Sequence, residues 1–359
     1  MPEDDIKKFL EEKKPTIDKI IEKYIPRKFD KDSLTFILGP PSYEYNIESA
    51  NKAISEPIWN FLDRGGKRWR PTLFLLISEA LGADPEKFSD VVLLPELLHE
   101  GSIIVDDVED SSEERRKKPA LHLIYGEDIA INAGNSLFYF SLLPLVKNKE
   151  KFDSETLLKI YNIYSKEMIK IHFGQAADIA WHRGLANADN ITEDEYLEMC
   201  SNKTGCIARL ATKIAAIIAG KNDEEVEKIG KFAETVGIAF QIQDDILNLS
   251  GEEFAKGKGG LGEDITEGKR SLLVVHTLQK ADKKDRKRLL EILKMHTTNQ
   301  KLRDEAIEII KKYGSIEYSK EKARNMVREA WEGVNKLLPE SDAKNKLKAF
   351  AYYLIERKI

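Results

Sequence analysis

LLHEGSIIVDDVEDSSEERR, residues 97–116, sets an apolar helical run directly against a run of carboxylates. From Val91 to Asp107 the chain is apolar nearly all round, with Pro95 starting or kinking the helix, which marks a helix surrounded by others. On that helix Asp106 and Asp110 stand one turn apart on a shared face, with Asp107 alongside. The carboxylates repel one another, and they sit in the C-terminal half of the helix, where the dipole disfavours negative charge. Buried unpaired carboxylates are costly, so the cluster calls for a counter-cation.

The same oddity recurs later, where VGIAFQIQDD ends on Asp244-Asp245. Alone, such a pair reads as a solvated helix end. Two of them, each closing an apolar helix, point to a metal site, and a few hard carboxylate ligands suit magnesium bound jointly with substrate phosphate. Cations lie close by in sequence: Arg115-Arg116 after the first cluster, GGKRWRP at 65–71, and Gly268-Lys269 after the second. Arginine meets phosphate through two parallel hydrogen bonds, lysine acts as a compact charge, and the glycine pair lets backbone approach a ligand. Together they describe a cavity for diphosphates, gripped by metal on one side and by Lys and Arg on the other.

Outward from these motifs the periodicity is helical and strand signals are scarce, so the predicted class is all-α. Helices are predicted over 2–24, 46–62, the apolar stretch after Pro71, 91–107, 128–147, 154–182, 193–219, 223–249, 270–280, 284–294, 301–313, 315–337 and 340–357. Gly39-Pro40-Pro41, Gly184, Gly220 and 251–263 read as connectors. No repeat or linker divides the chain, so residues 1–359 are predicted to form one domain, with 1–45 as an N-terminal helix and loop.

A net charge of −5 spread along the chain excludes a basic nucleic-acid surface. The two cysteines, Cys200 and Cys206, exclude a disulfide framework. The start, MPEDDIKKFLEEKK, lacks a hydrophobic signal, and no apolar run is long enough to span a bilayer. A cytoplasmic protein is the expectation.

Six motifs in one order and spacing give the chain a resemblance to the trans-prenyltransferases, the head-to-tail isoprenyl diphosphate synthases. They are GGKRWRP at 65–71, LLHEGSIIVDDVEDSSEERR at 97–116, GQAADI at 174–179, KTG at 203–205, QIQDD at 241–245 and EDITEGK at 263–269. The resemblance spans roughly 46–340, and VEDSSEERRKKPALHLIYG with EDITEGK leans towards geranylgeranyl diphosphate synthases of eukaryotic type. It implies a single large helical bundle of the isoprenoid synthase type around a central cavity. It also implies roles. Asp106 and Asp110 would ligate two magnesium ions with Asp107 in support, and Asp244, paired with Asp245, would ligate a third. Arg115, Lys203 and Lys269, with Lys258 as a further candidate, would hold the allylic diphosphate. Lys67, Arg70, His99 and Arg116 would hold isopentenyl diphosphate, and Thr204 and Gln241 would face the allylic cation. Asn248 departs from the third Asp that many members carry in the second motif, and an amide ligates metal less strongly than a carboxylate.

The implied reaction is a condensation of isopentenyl diphosphate with dimethylallyl, geranyl or farnesyl diphosphate, in a homodimer by family analogy. Ser102 and Gly101, four and five residues before Asp106, are both small and leave a passage for the growing chain, so the expected product has about twenty carbons or more. Leu98, Pro95 or the aromatics Phe138-Tyr139-Phe140 would form its floor. A terpene cyclase would share the fold and the first acidic cluster, but Asn248 stands where its metal pattern wants Ser or Thr, and it has no need of a second diphosphate site. A non-catalytic regulatory subunit would lose an acidic cluster, whereas this chain keeps both.

Overall fold

Short polar side chains start the helices. Asp153 accepts the Thr156 N–H at 2.8 Å and opens a helix over Ser154–His182. Thr192 and Glu195 form a reciprocal capping box ahead of Glu193–Cys200. Ser271, Asp282 and Asn299 cap three later helices. Each cap satisfies a backbone donor with no partner inside its helix.

The computed structural model describes residues 3–84, 86–250 and 261–356. In chain order the helices are α1 (Glu3–Tyr24), α2 (Lys31–Leu38), α3 (Ile47–Ala50), α4 (Glu56–Leu62), α5 (Trp69–Ala80), α6 (Leu93–Glu109), α7 (Leu121–Tyr125), α8 (Glu127–Phe140), α9 (Leu143–Lys147), α10 (Ser154–His182), α11 (Glu193–Cys200), α12 (Cys206–Ile218), α13 (Asp223–Ser250), α14 (Glu263–Glu267), α15 (Leu272–Lys280), α16 (Lys283–Lys294), α17 (Gln300–Lys312), α18 (Ser315–Asn335) and α19 (Asp342–Glu356). Among the described residues the strands are β1 (Glu114–Arg115) and β2 (Lys118–Pro119), an antiparallel hairpin just beyond α6. The all-α expectation holds.

Four local features depart from the periodicity. The stretch before Gly39 forms α2, because Asp30 and Ser33 make a capping box. The helix predicted over 128–147 breaks at Ser141-Leu142, where Pro144 has no N–H to continue the first ladder. Single-turn helices α7 and α14 lie between predicted helices, each closed by a glycine at positive φ, Gly126 and Gly268. Finally, α3 meets α4, and α11 meets α12, through π turns at Asn51–Ser55 and Ser201–Gly205.

The core runs through α13, which packs against α12, α18 and α19, while α6 packs on α8 and α12 on α5. A single cluster of buried apolar residues extends from Ile6 to Ile355. Buried Arg209 ties three helices together, reaching Glu167 of α10 at 2.5 Å and Glu234 of α13 at 2.6 Å. At the N-terminus α1 buries Ile6, Leu10, Ile17 and Ile21, and its Tyr24 hydroxyl donates to Asp90 at 2.7 Å. No described helix is long and apolar enough to cross a membrane.

Candidate active site

The last turn of α6 carries the first acidic cluster. Asp106 accepts hydrogen bonds from Gln175 at 2.8 Å and Lys203 at 3.1 Å. Lys203 also donates to Asp178 of α10 at 2.6 Å, so one ammonium bridges two carboxylates. Asp107 is fully buried and takes two hydrogen bonds from Arg115, at 2.8 and 2.5 Å. Its part is to hold Arg115, which lines the cavity. Asp110 closes the helix, and burial followed by the neighbouring Asp106 pushes its carboxyl up to about 7. A group so displaced marks a place where cationic charge is wanted.

Lys203 and Thr204 owe their direction to the π turn at Ser201–Gly205. On one side it lies against Gly174, where an added Cβ would come within 2.3 Å of the Lys203 nitrogen. On the other it meets α13, where a Cβ on Gly237 would come within 2.9 Å of the Gly205 Cα. Backbone pressed against backbone in this way admits only glycine. Thr204 then donates to Gln241 at 3.0 Å, and Gln241 donates to Asp245 at 2.9 Å. Asp245 is buried and also accepts from Tyr196 at 2.9 Å and Lys269 at 2.8 Å. Asn248 is occupied by the chain itself: its side-chain oxygen accepts the Asp264 N–H at 3.1 Å. An amide at that position holds the segment carrying Lys269 against α13.

The three cations of GGKRWRP go to different places. Gly65, Gly66 and Arg68 all have positive φ, at 92°, 152° and 49°, which winds the loop tightly. Arg68 turns inward to Glu96 at 2.7 Å, Glu100 at 2.6 Å and Asp18 at 3.0 Å. Lys67 lines the cavity. Arg70 is 5% exposed, stacks 4.3 Å over Trp69, and has no hydrogen-bond partner for its buried Nε. Burial lowers its guanidinium to about 10. A buried, incompletely satisfied guanidinium facing a cavity suits an anion. Arg116 donates to Glu100 at 3.0 Å and to the Gly65 carbonyl. His99 faces the same region, and burial, with Arg70 and Arg116 adding to it, holds its imidazole well below the usual range and so neutral.

Two cavities share this wall. A polar one of about 630 Å³ and a more apolar one of about 360 Å³ have Asp106, Arg115, Lys203, Thr204, Gln241 and Asp244 in common. The more apolar cavity is lined by Ile103, Val105, Phe138, Ile171, Ile207 and Phe240, among others. Ser102 lines it too, and Phe138 meets the His172 ring edge-on at 6.4 Å. Tyr139 is instead 73% exposed, and Leu98 and Pro95 lie in the core. Gly101 does not line the passage, contrary to the sequence-based expectation. A Cβ there would lie 2.6 Å from the Gly134 carbonyl oxygen of α8, so Gly101 allows a close helix crossing. At about 100° per residue, Ser102 lies about 40° round the helix from Asp106, but Gly101 about 140°. Lys258 lies outside the described residues.

Asp106, Asp110 and Asp244 face the polar cavity, yet no group of three or more acidic, His or Cys residues among the described residues is gathered to hold a metal alone. That donor set fits magnesium, which takes one or two carboxylates and shares the rest of its shell with water and phosphate. Sequence reasoning passed over Gln175, Asp178 and Tyr196. The first two carried a signal, since three-residue spacing within GQAADI puts them on one helix face. Tyr196 carried none.

Residues 51–310 match the family model described as polyprenyl synthetase. The chain is 39% identical to a short chain isoprenyl diphosphate synthase from Methanothermobacter thermautotrophicus, covering 83% of this chain and 88% of that one. It is 33% identical to a geranylgeranyl diphosphate synthase from Sulfolobus acidocaldarius, over 84% and 90% of the two chains. The crystal structure of a geranylgeranyl pyrophosphate synthetase from Pyrococcus horikoshii matches 99% of each chain with a TM-score of 0.84 and 32% identity.

Proposed function

This chain belongs to the polyprenyl synthetase family and is a trans-prenyltransferase, and from that premise we propose that it condenses isopentenyl diphosphate with an allylic diphosphate to make geranylgeranyl diphosphate. The observation that carries this reading is the shared wall. Acidic and basic side chains that suit two diphosphates stand directly over an apolar cavity that suits a prenyl tail.

Asp106, Asp110 and Asp244 would hold magnesium jointly with the allylic diphosphate, and the bound ion supplies neutralisation of charge on the phosphate oxygens. Arg115, Lys203 and Lys269 would receive the departing diphosphate as the allylic carbon–oxygen bond breaks, preorganised by Asp107, Asp178 and Asp245. Lys67, Arg70 and Arg116, with neutral His99 as a donor, would hold isopentenyl diphosphate so that its double bond attacks the allylic carbon. Thr204 and Gln241 face the carbon where positive charge develops. After the new bond forms, the proton leaves to the departed diphosphate. Ile103, Phe138 and Phe240 keep water from the cation.

The same reading includes a homodimer. Ile131 and Tyr139 of α8 and Ile169 and Phe173 of α10 are 40%, 73%, 60% and 71% exposed, an apolar face that a second copy would cover. The continuity of the core from Ile6 to Ile355 supports residues 1–359 as one domain. The test is turnover of labelled isopentenyl diphosphate with dimethylallyl, geranyl and farnesyl diphosphate, followed by chromatography of the dephosphorylated products. A twenty-carbon product is expected. Turnover of an allylic diphosphate without isopentenyl diphosphate would replace this reading with a cyclase, and no turnover by the pure protein would replace it with a regulatory subunit.

A further inference from the structure

We propose that Glu100 is a positioning residue that aims the Arg116 guanidinium at isopentenyl diphosphate, an inference that rests on Arg116 holding that substrate. Glu100 belongs to neither cavity wall. It is 1% exposed on α6, and its Oε1 accepts from Arg116 at 3.0 Å and from Arg68 at 2.6 Å. Arg116 lines the polar cavity and sits at a φ of 55° between β1 and β2, over the Phe61 ring at 5.0 Å. The junction is tight. A Cβ on Gly66 would lie 3.4 Å from Glu100 Oε1, 3.4 Å from Arg116 Nη2 and 3.2 Å from Arg68 Nη1.

Three elements therefore meet on one carboxylate: the loop carrying Lys67, the hairpin carrying Arg116 and the helix carrying Asp106. A guanidinium has five N–H donors in a planar fork. Glu100 and the Gly65 carbonyl engage two of its nitrogens, which fixes the plane and leaves the remaining donors for a phosphate. Without the carboxylate the long side chain regains rotamer freedom, and binding must order it again. Arg68 would keep Glu96 and Asp18 in such a variant, so the loop keeps its other anchors.

The experiment is steady-state kinetics on Glu100→Ala, Glu100→Gln, Arg116→Ala and the double Ala variant, each substrate varied in turn, with melting temperatures recorded. Arg116→Ala should raise KM for isopentenyl diphosphate. Glu100→Ala should raise the same KM roughly tenfold or more, while the allylic KM changes by less than about twofold. Glu100→Gln, which keeps the shape and the acceptor oxygen, should fall between, and it carries the test if the Ala variant does not fold. The double variant should bind no worse than Arg116→Ala, because the two residues act as one. An isopentenyl KM at the wild-type value in Glu100→Ala, beside a raised one in Arg116→Ala, would overturn the proposal. So would a parallel rise in both KM values. An unchanged KM in Arg116→Ala would instead overturn the isopentenyl site on which the proposal stands.

Discussion

Replacing Gly174 by Ala tests whether the π turn aims Lys203 at the proposed diphosphate site. The new Cβ would lie 2.3 Å from the Lys203 nitrogen, 2.6 Å from the Asn202 carbonyl carbon and 2.8 Å from the Lys203 Cα. Ordinary carbon contacts begin near 3.5 Å, and all three neighbours are backbone, so relief requires moving the π turn by about 1 Å. The bridge from Lys203 to Asp106 and Asp178, at 3.1 and 2.6 Å, would not survive such a shift. Overpacking of this kind destabilises by ~1–3 kcal/mol, and a displacement of about 1 Å at a reacting centre lowers rate by about a hundredfold. That ratio corresponds to about 2.7 kcal/mol of transition-state stabilisation. The assay is kcat with saturating substrates, alongside urea unfolding. Gly333→Ala is the control: it lies in α18, a Cβ there meets nothing within 4 Å, and Ala in a helix adds about 1 kcal/mol of stability. If Gly174→Ala keeps kcat within about twofold of wild type, the reasoning about the π turn is wrong.

Asp106→Ala and Asp244→Ala should each lower turnover by at least about a hundredfold, and EDTA should abolish it in the parent enzyme, checked by labelled isopentenyl diphosphate incorporation. Ser102→Phe should shorten the product seen by chromatography, whereas Gly101→Ala should mainly destabilise the fold by ~1–3 kcal/mol in urea, because its Cβ meets the Gly134 carbonyl. Stability should also depend on Glu96, whose carboxyl burial raises from 4.5 to about 7. Between those values the folded protein holds a proton that the unfolded chain has released, so this contribution is complete below pH 4.5 and lost as pH rises through 7. Glu96→Gln should flatten that part of the urea midpoint against pH, and an unaltered slope would remove Glu96 as its source.

The long helices were legible because caps and apolar periodicity agree: α10 begins after Asp153 and α11 after Thr192, as the pattern requires. Both acidic clusters were legible because carboxylates at the end of apolar runs are costly without a purpose. The π turn was not, since a single wide turn leaves no mark in a 3.6-residue pattern. Nor could charge and spacing alone separate Arg68 from Arg70; only the family resemblance singled out Arg70. Their neighbours are alike, but a left-handed backbone at Arg68 sends one into an ion-pair cluster while the other faces the cavity. Tyr196 meets Asp245 only through tertiary packing, and neither residue's neighbours announce the other. Gly101 was misread because smallness suggests an open channel as readily as a close crossing.

The opening helix lies wholly before the span that defines the family, yet it is stitched to the chemistry. Asp18 grips Arg68 at 3.0 Å, and Lys23 and Tyr24 grip Asp90. Trimming everything ahead of Lys31 would bare the oily faces that Ile6, Leu10, Ile17 and Ile21 now cover and leave Arg68 one acid short. Cut ahead of Lys31, the protein should therefore loosen the Arg68–Glu100 junction beneath the proposed isopentenyl site before it disturbs its aspartates, and the leading segment belongs in any minimal version of the catalyst.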